Sequence, residues 1–272
     1  MPSAEVLSWV RTRFMPHIWC PGCGHGIIMH ALIRALVALK KEKSNTVLAS
    51  GIGCSSRMAG YINACTLHST HGRSLAFSTG IKLHRPDLTV VNVMGDGDCT
   101  AIGGNHFIHA CRRNIDITAI VMNNNIYGMT GGQASPTTPV GAFATTTPYG
   151  AVDPTFDICK LAEGAGASYV ARTTIANPKQ AETFIANGIR KKGFSVIEVV
   201  THCHTQFGRK NNRRLPIENY KYFKENSIPL ALAKDKSPEE LAGKIVCGEF
   251  VNKDTPEYTE QYQKLVIDKA RG

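Results

Sequence analysis

LTVVNVMGDG (residues 88–97) and ITAIVMNN (117–124) decide how this chain is read. Both are short runs rich in β-branched residues, of the kind buried on both faces of a parallel sheet. Between them, roughly from Ala101 to Arg112, lies a segment of helical length, so the unit is strand, helix, strand. The alternation continues downstream, with FDICKLAEGAGA helical, SYVAR extended, PKQAETFIANGIRKK helical and FSVIEVVTHC extended. Upstream, GIIMHALIRALVALK (26–40) repeats apolar residues at helical spacing and closes on lysine, which suits a helix C-terminus. TVLASGIG (46–53) then reads as a strand running into a glycine turn. Alternating strands and helices of this sort predict an α/β fold with a doubly wound parallel sheet.

Ligands of such sheets collect beyond the carboxyl ends of the strands. Here those ends read GIGC, GDGD, NNNIYG and HCHT. Past about residue 209 the pattern fades into Lys, Asn, Pro and Glu, with a weak strand and a final helix. The expected organisation is a binding domain over 1–208 and a C-terminal extension over 209–272 that packs on the domain or on a partner chain.

A chain of 272 residues can bury a core without staples, and 43% hydrophobic against 19% charged residues is a globular balance. No apolar run reaches the ~18 residues of a membrane helix. The start, MPSAEVLSWVRTRFMPH, is interrupted by Arg11 and Arg13 before any apolar stretch develops, so a cytoplasmic address is expected. Nine cysteines, an odd number, argue for thiols and metal ligands rather than a disulfide framework. Cys65, Cys99, Cys111, Cys159 and Cys247 sit singly among small and apolar residues and read as packing. A net charge of +10 attracts anions, but the densest basic cluster, GRKNNRR at 208–214, is short and lacks interleaved aromatics, so nucleic acid is not an expected partner.

Most of the chemical information lies in GDGDCTAIGGNHF and NNNIYGMTGGQ. Gly95 and Gly97 let backbone approach a phosphate, and Asp96 offers a hard carboxylate to a divalent cation. Asn124 closes the neighbouring strand, and the Ile126 carbonyl just beyond it adds a third oxygen. One carboxylate, one or two carbonyls and phosphate oxygens make a Mg²⁺ shell. GDG alone is explained as well by a tight turn, and NNN by a loop. At this spacing, both at strand ends, the pair carries more weight.

GDG followed by NN looks like the thiamine diphosphate motif. The longer pattern, GDGD..AIGGNHFIHA.RRN.D.T.I..NN.IYGMTGGQ, resembles the β subunits of 2-oxoacid:ferredoxin oxidoreductases. The resemblance implies that Asp96, the Asn124 side chain and the Ile126 carbonyl hold Mg²⁺, with Gly97, Asp98, Gly128, Met129 and Thr130 around the diphosphate. Ile52, Gly53, Ser55 and Gly95 are further candidate cofactor contacts, and His71, in HGR, is placed by the resemblance at the cofactor's reactive end. A loop histidine satisfied by its neighbours would read the same way.

WCPGCGHG (19–26) holds a CxxC, Cys20 and Cys23, which alone is half of something. A zinc site would want a second CxxC or a histidine pair at the usual spacing, and a thioredoxin-like site a strand in front of it. An iron-sulfur cluster needs four thiolates that need not be close in sequence. Cys54 in GIGCSSR and Cys203 in VVTHCHTQFG both end predicted strands, and with Cys20 and Cys23 they match the family's four ligands to one [4Fe-4S] cluster. His202 and His204 flank Cys203.

The activity the resemblance implies is CoA-dependent oxidative decarboxylation of a 2-oxoacid, with single electrons leaving through the cluster to ferredoxin. An α subunit carrying the pyrimidine-binding domain is expected, in an α₂β₂ assembly. Arg57, three residues past Cys54, could meet the distal carboxylate of 2-oxoglutarate, although an arginine packed in a turn would look alike. Pyruvate and branched-chain 2-oxoacids stay open as substrates. So do a non-oxidative thiamine decarboxylase or synthase subunit and a cluster carrier without catalysis.

Overall fold

The computed structural model describes residues 3–271. Ten strands follow one another along the chain: β1 Thr46–Ser50, β2 Cys65–His68, β3 Thr89–Gly95, β4 Thr118–Asn123, β5 Ile126–Tyr127, β6 Gln133–Ala134, β7 Tyr169–Thr174, β8 Ser195–Val200, β9 Ser227–Pro229 and β10 Ile245–Asn252. Eight of them form one sheet in the order β2-β1-β3-β4-β8-β7-β10-β9. From β2 to β7 every pairing is parallel; β10 runs antiparallel to β7 and parallel to β9. The sheet is therefore mostly parallel, as LTVVNVMGDG and ITAIVMNN require.

Both faces are covered, which is why those runs lack polar alternation. Val91 and Val93 of β3 join a core with Ile120 and Met122 of β4 and the helices His25–Ala38 and Pro178–Arg190. Val90 and Met94 join a second core with Ala119, Val121 and the helices Gly104–Arg113 and Ile158–Gly164. Neighbouring residues of one strand thus point to opposite layers, the period of two that a pleated strand imposes. Turn chemistry sets the helix starts. Asp157 caps Ile158–Gly164 by accepting from the amides of Cys159 and Lys160, and Asn177 caps Pro178–Arg190 ahead of its first-turn proline.

Several elements were not legible. The helix expected from about Ala101 to Arg112 is Gly104–Arg113, and a short helix not expected, Asp96–Thr100, precedes it directly after β3. β2 and the helix Ser74–His84 lie where no element was expected, because CTLH is only half-buried and too short to show a period. β5 and β6 pair as a two-residue antiparallel hairpin. β10, from the stretch past residue 209, hydrogen-bonds into the main sheet beside β7.

The topology gathers the functional residues. β1, β3, β4 and β8 run in one direction, so the segments following Ser50, Gly95, Asn123 and Val200 leave the same edge of the sheet.

Candidate active site at the carboxyl edge of the sheet

A cavity of about 220 Å³ opens at this edge. Every residue expected to contact the cofactor lines it: Ile52, Gly53 and Ser55 after β1, His71, Gly95 to Asp98, and Gly128 to Thr130 on the β5–β6 hairpin. Asn124, Ile126 and Cys54 line it too. Arg57, at the end of the helical turn Ser55–Arg57, does not; it is half-buried, and its Nε has no partner among the described residues.

Asp96 is 2% exposed, and among the described residues no cationic side chain pairs with it. Its Oδ2 accepts from the hydroxyls of Ser135, at 2.5 Å, and Thr137, at 2.7 Å. Burial pushes its carboxyl above the usual carboxylate range, and those two hydrogen bonds pull the other way. Its Oδ1 faces the amide oxygen of Asn124, which also faces the Ile126 carbonyl. Turned about, the Asn124 amide would bring nitrogen to 3.2 Å from Asp96 Oδ1 and 2.7 Å from Ile126 O. With the amide oxygen on this side, Asp96 Oδ1, Asn124 Oδ1 and the Ile126 carbonyl offer three acceptor oxygens to a shared cation. Octahedral Mg²⁺ at ~2.1 Å sets neighbouring oxygens about 3 Å apart, so a cation among these three fits the spacing without turning the amide.

Around this cradle the walls are tight. An added Cβ on Gly97 would stand 2.2 Å from the Tyr127 ring, so only glycine lets Tyr127 lie against the turn and donate to the Gly97 carbonyl. Asp98, also 2% exposed, spends its Oδ1 on the amides of Gly72 at 2.7 Å and Ile52 at 3.3 Å. His71 Nδ1 comes within 2.7 Å of the same oxygen, and its ring meets Tyr127 edge-on. The carboxylate of Asp98 thereby ties two loops together; any approach to a phosphate from this residue falls to its backbone. The cradle, the glycine turn and the loop walls suit a diphosphate held through a divalent cation.

The thiols lie behind one wall. A Cβ on Gly128 would sit 3.1 Å from Cys203 Sγ and 3.8 Å from Cys54 Sγ. Thr205 Oγ1 is 3.5 Å from Cys203 Sγ and 3.7 Å from Cys20 Sγ. Cys23 and Cys54 are pushed up to about 12 and about 11, first by burial and then by the other thiols of the group, Cys203 and Cys20 among them. All nine cysteines are free. A single tetrahedral zinc would hold its sulfurs about 3.8 Å apart. Among the described residues, the sole His, Cys, Asp or Glu trio with ligand atoms all within 4.8 Å of one another is Asp157, Cys159 and Glu198. The four thiols are neighbours too widely spaced for one ion, and an iron-sulfur cube, with one thiolate per iron, suits them. In the other trio, Arg172 already pairs with Asp157 and with Glu198 at 2.6 Å, which leaves no carboxylate for a metal.

Sequence reasoning missed three residues lining the cavity, His25, Met122 and Tyr127. His25 is 1% exposed, with Nδ1 3.4 Å from Cys23 Sγ, and burial holds it neutral by lowering its pKa to about 3. Its signal was its place directly after CPGCG. Tyr127 was signalled only by the adjoining glycine.

This arrangement defines a class, thiamine-type domains that bind a diphosphate at the carboxyl edge of a parallel sheet. Residues 51–199 match the family described as thiamine pyrophosphate enzyme, C-terminal TPP binding domain. The chain is 56% identical over 261 residues to 2-oxoglutarate synthase subunit KorB of Methanocaldococcus jannaschii, covering 96% of this chain and 97% of that relative. It is 37% identical over 229 residues to the 2-oxoacid:ferredoxin oxidoreductase subunit beta of a Sulfolobus species, covering 84% of this chain and 74% of that one. A solved 2-oxoglutarate:ferredoxin oxidoreductase from Magnetococcus marinus, with 2-oxoglutarate, coenzyme A and succinyl-CoA bound, superposes with a TM-score of 0.86 at 30% identity, over 99% of this chain and 92% of that one. The chain belongs to the β subunits of the thiamine-dependent 2-oxoacid:ferredoxin oxidoreductases.

Proposed function

We propose that this β subunit works on 2-oxoglutarate, with CoA as co-substrate, succinyl-CoA and CO₂ as products, and ferredoxin taking the electrons through a [4Fe-4S] cluster on Cys20, Cys23, Cys54 and Cys203. The observation that carries this reading is Gly128, which lines the cavity on one side and nearly touches Cys54 and Cys203 on the other. A site for carbanion chemistry and a site for single electrons share one wall.

When bound, thiamine diphosphate supplies the nucleophilic carbon and the electron sink for decarboxylation. The chain's own residues do the rest. Asp96, Asn124 and the Ile126 carbonyl would hold Mg²⁺, with Ser135 and Thr137 fixing the carboxylate's direction. Gly95, Gly97, Gly128, Met129 and Thr130 shape the groove, and Ile52, Gly53 and Ser55 form its opposite side. His71, aligned by Tyr127 and Asp98, is positioned to exchange hydrogen bonds with the substrate. Arg57 stands outside the cavity, two residues past Ser55, and in this reading it meets the end of the substrate that extends beyond the cavity, the distal carboxylate, which favours 2-oxoglutarate over pyruvate. The names of the relatives support the same substrate.

In this reading residues 1–208 carry the cofactors and 209–272 form an extension. The described residues form one eight-stranded sheet and one two-stranded hairpin, and in this reading the glutamate that activates the cofactor's aminopyrimidine comes from an α subunit, in an α₂β₂ complex. Cys20 is exposed, as are Arg209 and Arg214 on the segment running on from Cys203, which gives an acidic ferredoxin a basic face near the cluster. No described helix is long and apolar enough to cross a membrane. A cytoplasmic location, where free thiols persist, belongs to the proposal.

The test is Cys203→Ser in the reconstituted αβ complex. Thiamine content and a single-turnover burst of CO₂ should persist while ferredoxin reduction, and with it steady CO₂ release, falls by more than about tenfold, since serine is a poor cluster ligand. Ferredoxin reduction at the wild-type rate would remove Cys203 from the cluster.

A further inference from the structure

We propose that a second cavity, at the amino edge of the sheet, binds a small organic molecule by its phosphate group. It stands apart from the thiamine site. Thr89 and Thr118, which open β3 and β4, line it, whereas Asp96 and Asn124 lie past the other ends of those strands. At roughly 3.3 Å per residue, the length of β3 puts about 20 Å between the two sites.

The cavity has a volume of about 280 Å³ and is lined by five cations, Lys41, Lys82, Arg190, Lys191 and Lys192, against two carboxylates, Asp87 and Asp116. Asp87 is taken from outside the cavity by Arg85, in two hydrogen bonds of 2.9 and 2.7 Å. Lys191 is likewise taken by Asp254, at 2.6 Å. Lys82 and Lys192 share a single oxygen, Asp116 Oδ2, at 2.7 and 3.4 Å, and Lys82 is 3% exposed. Among the described residues Lys41 and Arg190 pair with no carboxylate; Arg190 reaches the amide oxygen of Asn187 at 3.2 Å. One charge of the shared pair, Lys41 and Arg190 are thus left over, three positive charges in excess.

Helix dipoles offset part of this. The helices His25–Ala38, Ser74–His84 and Pro178–Arg190 end among these residues, and each C-terminus carries about half a negative charge. About one and a half positive charges remain, which suits a phosphate monoester with its charge of about −1.5 to −2 at neutral pH. The kind of cation points the same way. Four of the five are lysines, which meet phosphate as point charges, whereas a carboxylate is best met by the arginine fork. A concave wall of one sign also concentrates anions from solution. At about 30 Å³ per water the space equals about nine waters, more than the five heavy atoms of bare phosphate fill, so the phosphate carries an organic body.

The experiment titrates ribose 5-phosphate and inorganic phosphate, each by calorimetry at fixed ionic strength, into the αβ holoenzyme loaded with thiamine diphosphate and Mg²⁺. Wild type should show one saturable site per β chain, tighter for ribose 5-phosphate than for inorganic phosphate. Lys41→Ala/Arg190→Ala removes the two cations that have no carboxylate and should weaken this site by about tenfold or more. Its thermal unfolding and its turnover in phosphate-free buffer should match wild type, because neither residue touches the thiamine cavity. Lys41→Gln/Arg190→Gln keeps longer stems without the charge, should lose affinity equally, and stands in if the alanine variant fails to fold. Equal affinity in wild type and variant, or no saturable site in wild type, would overturn the proposal. Equal affinity of wild type for the two ligands would overturn the organic body and assign the cavity to free phosphate.

Discussion

Asp96 concentrates the argument at the scale of one residue. The buried carboxylate of Asp96 accepts from two hydroxyls on one oxygen and from the Asn124 backbone amide on the other, and no cationic side chain among the described residues neutralises it, so a bound cation would stabilise its charge. Residues that merely orient metal ligands cost about 10- to 100-fold in affinity when lost, so removing a ligand should cost more. Asp96→Ala is expected to purify folded but with less than about a hundredth of the wild-type thiamine diphosphate affinity at fixed Mg²⁺, as measured by calorimetry. Retained affinity would move the cation elsewhere. Arg57 carries the substrate claim. A lost charge-assisted hydrogen bond costs about 1.5–3 kcal/mol, so Arg57→Leu should lower kcat/KM for 2-oxoglutarate by about 10- to 100-fold and leave pyruvate nearly unaffected. Equal losses on both substrates would return Arg57 to a structural role in its turn. The place of Asp96 in the cavity wall was legible because its chemistry sits in the letters themselves. His25 was not, because a histidine after CPGCG acquires meaning only when the fold buries it against both sites.

At the scale of elements, the strand–turn–helix unit through Gly97 is where sequence and site meet. The glycine lets Tyr127, arriving on the β5–β6 hairpin, pack against the end of β3. In Gly97→Ala the new methyl must displace the Tyr127 ring, which costs about 1–3 kcal/mol of stability as overpacking does. Thermal unfolding should register that loss and bound thiamine should decrease with it. Unchanged values for both would show that the ring has room to swing. The elements themselves were legible in proportion to their burial. β3, β4 and β8, covered on both faces, read clearly as apolar runs. β2 is exposed at both ends and left no pattern. The hairpin is held together by Asp96, Ser135 and Thr138 rather than by propensity, and such long-range hydrogen bonds are invisible in a linear reading.

At the scale of the whole molecule, the parallel sheet explains why residues as far apart as Cys20 and Cys203 meet. Strands that share a direction deliver their exits to one edge, and the N-terminal CxxC turn folds against the same edge, where the Gly22 carbonyl contacts His202 Nε2 at 3.0 Å. The sequence alone supported only the CxxC pair as joint ligands; the sheet brings Cys54 and Cys203 beside the cavity wall. A weak strand was expected past residue 209, but not its place in the main sheet, because β10 pairs antiparallel with β7 and its apolar pattern is weak.

The central claim, that the thiamine cavity and the four cysteines form one electron-transferring unit, is met most directly by composition. The αβ complex would be purified without oxygen and assayed for iron, acid-labile sulfide, zinc and thiamine diphosphate per β chain. The account predicts about four irons, about four sulfides and one thiamine diphosphate, with no zinc. Zinc in place of iron, or thiamine without any metal cluster in folded complex, would contradict it.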